Sequence, residues 1–265
     1  MATIGYSLSK VKSKARKIVI YLPGRISEGV LCRLKAIGWE LYPVDLIPPP
    51  NDGEEIWSSF VDQYTKLQIW TLDRFGITSA VYIDADTLVV KNFDELFDLP
   101  FVFAAAPDVY LDGRGFTVGF NAGIMAIKPS SEVFVDMLSK VEDAKFNRAW
   151  AEQSYLNLYY GSQAVKLPYV YNGNLAIKSR SRSSWAAMQD QMRIIHYTLV
   201  KPFDGRRQCG DRACEGGEVF DVSERGSHLE SAKASWDGSF REEIERWVEE
   251  YDEMMLALGN SCAEA

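Results

Sequence analysis

Long hydrophobic runs, a signal-peptide pattern and an excess of basic residues are all missing from this 265-residue sequence. No stretch approaches the roughly 18 consecutive apolar residues that a membrane helix needs, and no signal-peptide pattern follows Met1. The formal net charge of −8 argues against nucleic-acid binding, which requires a clustered basic face to neutralise phosphates. We therefore expect a soluble chain that has no membrane segment and no nucleic-acid partner.

Cysteine is also scarce, with four residues at Cys32, Cys209, Cys214 and Cys262. Cys209 and Cys214 share a glycine- and charge-rich segment without a second pair of ligands, which disfavours a zinc site and leaves a local disulfide open. This low usage favours a reduced, intracellular protein, and we expect a cytoplasmic location.

The composition, 47% hydrophobic and 25% charged, is typical of a globular protein. A chain of this length can bury a sizeable core, and we predict one α/β domain over residues 1–265. A β-branched run at 17–22 predicts a strand, and helical spacing after Ser27 predicts a helix that stops at Gly38. With the apolar segment that follows, these elements form a predicted βαβ unit.

A second such unit follows, because a helical pattern ends at Gly76 and the apolar strand Ala80–Ile83 comes next. Apolar strands that alternate with helices predict a parallel sheet covered on both faces. Further patterns predict a strand at 124–127, helices around 131–140 and 151–160, and a strand that ends at His196. Polar sites in such sheets lie beyond the carboxyl ends of the strands.

The C-terminal part of the chain has a different character. Residues 204–235 have little apolar pattern and predict a long polar loop. Residues 239–258 carry apolar side chains at intervals of three and four, which predicts an amphipathic helix packed on the domain.

Two aspartates directly follow the strand Ala80–Ile83. Strand alternation places Asp84 and Asp86 on the same side, with Ala85 facing the other way. Burying an unpaired carboxylate is costly, so the pair suggests a partner or a metal, and two such oxygen ligands can hold Mn²⁺ or Mg²⁺. This spacing alone is weak support for a metal site, since acidic residues are common at strand ends.

The residues around this pair resemble glycosyltransferase family 8, the family of glycogenin and the galactinol synthases. The resemblance covers roughly residues 5–205, and it rests on several motifs in the family's order. These motifs are YTKLQIWTLDRFGITSAVYIDADTLVVKNFDELF, AAAPD, FNAGIMAIKPS, EQSYLNLYY, LPYVYN and IIHYTLVKPF. It implies a GT-A type, Rossmann-like sheet that binds a nucleotide sugar, and a metal-dependent retaining transfer of a hexose from a UDP-sugar to a hydroxyl acceptor.

The resemblance also implies roles for individual residues. Asp84, Ala85 and Asp86 match the metal and ribose-diphosphate motif, and His196 matches the histidine that completes the metal site. One imidazole with two carboxylates suits Mn²⁺, and Mg²⁺ is the alternative. The remaining matches are Lys201 at the diphosphate, Lys66 and Asn121 at the donor sugar, Gln153 near the anomeric carbon, and Glu152 and Asp108 as candidate catalytic acids.

Two departures from the family pattern are visible. The usual first strand, which grips the uridine, is missing, so that the sequence is either truncated or from a homologue that has lost this strand. Thr198 and Leu199 stand where the family has a glycine that approaches the diphosphate, and a side chain there is expected to weaken donor binding.

Several alternatives stay open at this point. A degenerate or truncated family member would act as a binding or structural protein without transferase activity. A nucleotidyltransferase is disfavoured because no glycine-rich phosphate loop follows the first strand. The acceptor, the retaining mechanism (double displacement or same-face attack) and a homodimeric state are not decided by the sequence.

Overall fold

The computed structural model describes residues 1–203, 225–259 and 261–262. These residues form two compact units, each assembled from segments that are separate in sequence. The first unit contains residues 1–42, 85–92 and 173–265, and the second contains residues 43–84 and 93–172. The assignment of the whole chain to a single domain stays a prediction.

The first unit is mostly helical around two small sheets. Its helices are α1 (Ala2–Lys10), α2 (Glu28–Ala36), α5 (Leu175–Arg180), α6 (Arg182–Gln189), α7 (Arg225–Ala234) and α8 (Arg241–Leu258). Its strands are β1 (Lys17–Tyr21), β2 (Trp39–Pro43), β4 (Thr87–Val89), β8 (Gly173–Asn174) and β9 (Ile194–His196).

The second unit is built on one larger sheet. Its strands are β3 (Ala80–Ile83), β5 (Phe103–Val109), β6 (Phe116–Ile127) and β7 (Val165–Lys166), and its α-helices are α3 (Ser131–Val141) and α4 (Ala151–Tyr160). The helix predicted before Gly76 is a 3₁₀ helix, Ser58–Phe75, and shorter 3₁₀ segments are Pro50–Gly53, Asp94–Asp98, Arg148–Trp150, Gly161–Gln163 and Tyr169–Tyr171. Gly76 ends the long 3₁₀ helix with φ +75°, a backbone angle that glycine adopts without steric cost.

The sheets differ from the predicted parallel arrangement. In the second unit the strand order is β3-β6-β5-β7, with β6 antiparallel to both β3 and β5 and only β5 and β7 parallel. In the first unit β9 lies between β4, which is antiparallel to it, and β8, which is parallel. The prediction of one parallel sheet is therefore wrong, because apolar runs show burial on both faces but not the direction of the partner strand.

The C-terminal region follows the predictions in part. Helix α8 begins at Arg241, and its apolar positions Ile244, Trp247 and Met254 are buried. Helix α7 occupies residues that were predicted as the end of the polar loop, while 204–224 lie outside the described residues. A last turn before α8 is the 3₁₀ segment Ser235–Gly238.

The prediction of reduced cysteines is wrong for two of the four. Cys32 in α2 and Cys262 beyond α8, 230 residues apart in sequence, form a disulfide. Cys209 and Cys214, the pair considered for a local disulfide, lie outside the described residues.

None of the helices in the described part of the chain combines the length and hydrophobicity needed to span a bilayer.

Candidate functional site

A buried lysine lies at the centre of the polar residues of the second unit. The 3₁₀ helix Ser58–Phe75 carries Lys66, whose Nζ lies 2.6 Å from Glu152 Oε1 and 3.2 Å from Asp84 Oδ1. Tyr82 donates its hydroxyl to Asp84 Oδ1 at 2.6 Å, and the Lys66 ammonium lies 4.9 Å from the centre of the Tyr82 ring. Tyr82 is on β3 two positions before Asp84, so strand alternation directs both side chains to one face.

Burial and the neighbouring charges act in opposite directions on the pKa values of Lys66 and Glu152. Burial lowers the pKa of Lys66, but the nearby carboxylates of Asp84 and Glu152 outweigh it and raise the pKa well above its usual value. Burial raises the pKa of Glu152, and the Lys66 ammonium offsets that effect only in part. Lys66 is therefore held as a cation inside the second unit, between the carboxylates of Asp84 and Glu152.

A second group of polar side chains surrounds Asp108 on β5. Its Oδ1 accepts from Asn121 Nδ2 at 3.1 Å and its Oδ2 accepts from Gln153 Nε2 at 2.8 Å. The same Gln153 nitrogen lies 3.4 Å from the Tyr110 hydroxyl. Asn172 donates to Asn121 Oδ1 at 2.9 Å, so the amide of Asn121 is oriented from both ends.

The backbone of Ala122 joins the two groups. Its carbonyl accepts from Lys66 Nζ at 3.4 Å, and its N–H donates to Gln153 Oε1 at 3.0 Å. Ala122 lies on β6, and Gln153 comes from the first turn of α4. The 3₁₀ helix, β3, β5, β6 and α4 thus all contribute to one connected polar network.

In the first unit Asp86 contacts two basic side chains. Its Oδ1 lies 3.2 Å from His196 Nε2, and its Oδ2 accepts from Lys201 Nζ. The pairing of Thr87 with His196 between β4 and β9 explains why the histidine is near, although 110 residues separate it from Asp86 in sequence. Burial raises the pKa of Asp86, but His196 and Lys201 outweigh burial and hold the pKa well below its usual range.

Thr198, for which the family resemblance predicts a glycine, is bonded within the first unit. Its hydroxyl donates to Asn174 Oδ1 at 2.6 Å. That oxygen also accepts from the N–H of Ala176 at 2.8 Å at the start of α5. The threonine side chain therefore has a structural partner in this segment.

The structure brings the predicted residues together in two sets. Lys66, Asp84, Asp108, Asn121, Glu152 and Gln153 belong to the network of the second unit, and Asp86, His196 and Lys201 contact one another in the first. Ala85 is exposed between the two aspartates. Sequence reasoning missed Tyr82, Tyr110 and Asn172, of which only Tyr82 had a local signal, its alternation with Asp84.

Within the described part of the chain, Asp84, Asp86 and His196 form a group whose ligand atoms could hold a metal ion. Two carboxylates and one imidazole are hard and intermediate ligands, a set suited to Mn²⁺ or Mg²⁺ rather than to a thiolate-preferring metal. The donor set therefore fits a divalent ion.

Sequence comparisons give the chain's relatives. The profile of Glycosyl transferase family 8 matches residues 51–204. Glycogenin from Neurospora crassa is 27% identical over 210 residues, which are 77% of this chain and 29% of that protein. Inositol phosphorylceramide glucuronosyltransferase 1 from Arabidopsis thaliana is 27% identical over 195 residues, 64% of this chain and 34% of that protein. The chain thus spans about a third of the length of these two relatives.

A plant enzyme is matched over more of its length, and a solved structure supports the fold. Galactinol synthase 1 from Solanum lycopersicum is 31% identical over 229 residues, 77% of this chain and 70% of that protein. The glycosyltransferase GlyE of Streptococcus pneumoniae superposes with a TM-score of 0.54 at 20% identity, over 94% of this chain and 60% of that one. The fold is therefore α/β of the GT-A type, and the profile match over more than half of the sequence shows that the chain belongs to glycosyltransferase family 8.

Proposed function

We propose that this protein is a metal-dependent, retaining glycosyltransferase that transfers a hexose from a UDP-sugar to a hydroxyl acceptor. The observation that carries the proposal is the connected network of Lys66, Asp108, Asn121 and Gln153 in the second unit. The Asp108, Asn121 and Gln153 side chains orient one another and Lys66 donates to the Ala122 carbonyl, an arrangement expected where hydroxyl groups of a sugar are recognised.

The proposed metal ligands are Asp84, Asp86 and His196. A divalent cation held there, Mn²⁺ or Mg²⁺, would supply charge stabilisation for the departing diphosphate. Asp86 is already oriented by His196, which lies 3.2 Å away. Ala85 leaves this stretch of backbone without a bulky side chain beside the nucleotide, and UDP is the proposed nucleotide.

Lys201 is proposed to bind the diphosphate of the donor. Its ammonium contacts Asp86, so it lies among the proposed metal ligands of the first unit. A cation beside a leaving phosphate stabilises the charge that develops when the glycosidic bond breaks.

The donor hexose is proposed to contact Lys66, Asn121 and Gln153. The Gln153 side chain is half-buried and is fixed at both ends, by Ala122 N–H and by Asp108, so that its amide has a single orientation. Asp108 holds Gln153 and Asn121 in place. Glu152 is fully buried against Lys66, and we propose that it positions that lysine.

A second candidate is a family member that keeps the fold and a binding role but no transferase activity. One observation favours it, since the Asp86 carboxylate is already paired with His196 and Lys201. A divalent ion would have to compete with the lysine for this carboxylate.

Calorimetric titration of UDP with and without Mn²⁺ separates the two candidates. The transferase proposal predicts UDP binding that strengthens at least about tenfold with Mn²⁺ and is lost in Asp86→Asn, because the metal links the carboxylate to the diphosphate. The control is Asp252→Asn, which changes an exposed aspartate of α8 and should leave binding unchanged.

Two results would contradict the transferase proposal. If UDP binds equally well with and without Mn²⁺, the proposed metal site has no part in donor binding. Failure of the folded protein to bind UDP under either condition would favour the binding or structural alternative. If binding is metal-dependent, NMR of the product formed from a UDP-α-hexose should show an α-glycoside, as a retaining transfer requires.

The compartment and the oligomeric state stay predictions. The Cys32–Cys262 disulfide removes the reduced-cysteine argument for a cytoplasmic location, since disulfides persist mainly in oxidising environments. We propose that the protein forms a homodimer, and light scattering of the purified protein tests this.

A further inference from the structure

Helix α8 of the first unit is held differently at its two ends. In its first turn Ile244 is fully buried, and the Glu243 carboxylate accepts from Lys178 Nζ at 2.7 and 2.8 Å. Across residues 250–258, by contrast, Met254 is the one buried residue. The first turns of α8 are therefore fixed by packing and a buried ion pair, whereas the last turns depend on other contacts.

Those other contacts are a disulfide and two ion pairs, which we call the α8 clamp. The Cys32–Cys262 disulfide joins α2 to the residues that follow α8. Lys10, the last residue of α1, contacts Glu250 at 3.0 Å and Glu253 at 2.6 Å. The Lys10 and Glu253 side chains are each 49% exposed, and exposed ion pairs add little stability. The disulfide is therefore the strong part of the clamp.

The disulfide is within reach of a reductant. Cys32 and Cys262 are both half-buried, and Leu34 is the one buried residue of α2. A dithiol reduces such a bond in two exchange steps, because its thiolate attacks one sulfur and its second thiol then displaces the resulting mixed disulfide. Two electrons pass to the protein, each cysteine ends as a thiol with one proton, and the reductant ends as a disulfide.

The helices that the clamp joins also support the proposed metal ligands of the first unit. Helix α1 packs against both α8 and β4, and β4 begins directly after Asp86. On the other side, Tyr197 directly follows His196, and its hydroxyl donates to the Glu243 carbonyl of α8 at 2.8 Å. The Tyr197 N–H donates to the Asp86 carbonyl, also at 2.8 Å. Asp86 and His196 therefore depend on α1 and α8 for their support.

We propose that the Cys32–Cys262 disulfide is a redox-sensitive switch, whose reduction detaches the last turns of α8, loosens α1 and weakens the binding of metal and nucleotide diphosphate at Asp86. This inference rests on the transferase function proposed above. In the oxidised protein the bond limits how far the last turns of α8 can move from α2. In the reduced protein the burial of Met254 and the exposed ion pairs oppose that movement, and both contribute less. The apparent affinity then falls in proportion to the fraction of molecules in which α1 and α8 stay packed.

Hydrogen exchange followed by mass spectrometry tests the structural part of the proposal. The full chain is compared before and after reduction with dithiothreitol. Peptides that cover α1 and residues 250–258 should exchange at least about tenfold faster after reduction, because local opening becomes more frequent there. Peptides from α3 in the second unit should be unchanged. Equal exchange in the two states would overturn the switch, and faster exchange throughout, α3 included, would overturn it by showing global unfolding.

Calorimetric titration of UDP in the presence of Mn²⁺ tests the functional part. Dithiothreitol is removed under argon before the titration, because it binds Mn²⁺. The dissociation constant of UDP should rise about fivefold after reduction, return when oxidised glutathione re-forms the bond, and be raised permanently in Cys262→Ser. The matched control is Cys209→Ser/Cys214→Ser, which removes the other two cysteines and should keep the full response to reduction.

The titration separates failure of the switch from failure of the transferase proposal. UDP binding that is unchanged by reduction would overturn the switch alone. Absence of UDP binding in the oxidised, folded protein would overturn the transferase proposal and the switch with it. Loss of the response in Cys209→Ser/Cys214→Ser would place the redox effect at those cysteines and overturn the assignment to Cys32 and Cys262.

Discussion

The buried ion pair between Lys66 and Glu152 allows a quantitative prediction. Both side chains are almost inaccessible, at 6% and 5% exposure, and their charged atoms are 2.6 Å apart. Lys66→Met keeps most of the aliphatic stem but leaves the Glu152 carboxylate without the cation that it contacts. Breaking a buried pair by removing one partner costs about 3–5 kcal/mol of unfolding free energy, and we expect a loss of this order.

The loss of unfolding free energy in Lys66→Met should depend on pH, and the direction of that dependence follows from the pKa of Glu152. Burial already raises its pKa above the ordinary 4.5, and removal of Lys66 takes away the main effect that opposes this. A carboxyl whose pKa is raised on folding stabilises the protein below its ordinary pKa, and that contribution is lost as the pH rises through the folded value. The variant should therefore be less impaired at pH 5 than at pH 8.

Urea unfolding followed by circular dichroism at both pH values measures the effect. The control is Lys140→Met, which removes a lysine paired at 2.7 Å with Asp136 on the surface of α3, where little change is expected. The double variant Lys66→Met/Glu152→Gln should recover part of the loss, because the buried Glu152 position is then neutral, and only Asp84, which keeps the Tyr82 hydroxyl, loses its contact with the cation. Equal stability of the two lysine variants, or a loss independent of pH, would refute the reasoning.

Two further predictions concern the second unit and its backbone. Burial raises the pKa of Tyr110 and Tyr155 to about 12, so unfolded chains lose these protons before folded ones do, and the urea midpoint should fall between pH 9 and pH 11. Absorbance at 295 nm that showed these two phenol groups ionising near pH 10 in the folded protein would contradict this. Ala151→Gly should leave stability unchanged or raise it by about 1 kcal/mol, because relief of the strain at its φ of +46° offsets the added chain entropy. Ala187→Gly, in the exposed interior of α6, should instead cost about 1 kcal/mol, and equal losses in urea unfolding would show that Ala151 is unstrained.

Local elements were predictable where the apolar period was strong. The strand Ala80–Ile83, the helices α3 and α4 and the strand ending at His196 all formed close to their expected bounds. Sheet direction was not predictable, since an apolar run is compatible with either orientation of its neighbour. The Cys32–Cys262 disulfide was missed for a related reason, because residues 230 apart leave no local pattern.

The candidate site shows the same division between local and distant information. Asp84 and Asp86 were evident from alternation at a strand end, whereas the contact of Asp86 with His196 was expected only from the family resemblance. Tyr110 and Asn172 were missed because their partners come from other elements. The Ala122 backbone, which accepts from Lys66 and donates to Gln153, has no side-chain signal at all.

The Cys32–Cys262 disulfide changes the topology of the molecule as well as its stability. It converts the chain into a covalent ring of some 230 residues with two tails. In the chain-entropy description, closing a ring of this size lowers the entropy of the unfolded chain and raises its free energy by about 5 kcal/mol. A protease that cuts once inside the ring produces two peptides that stay one molecule until a thiol reductant separates them. The same cut therefore leaves one covalently linked molecule in oxidising surroundings and two separate peptides in reducing ones.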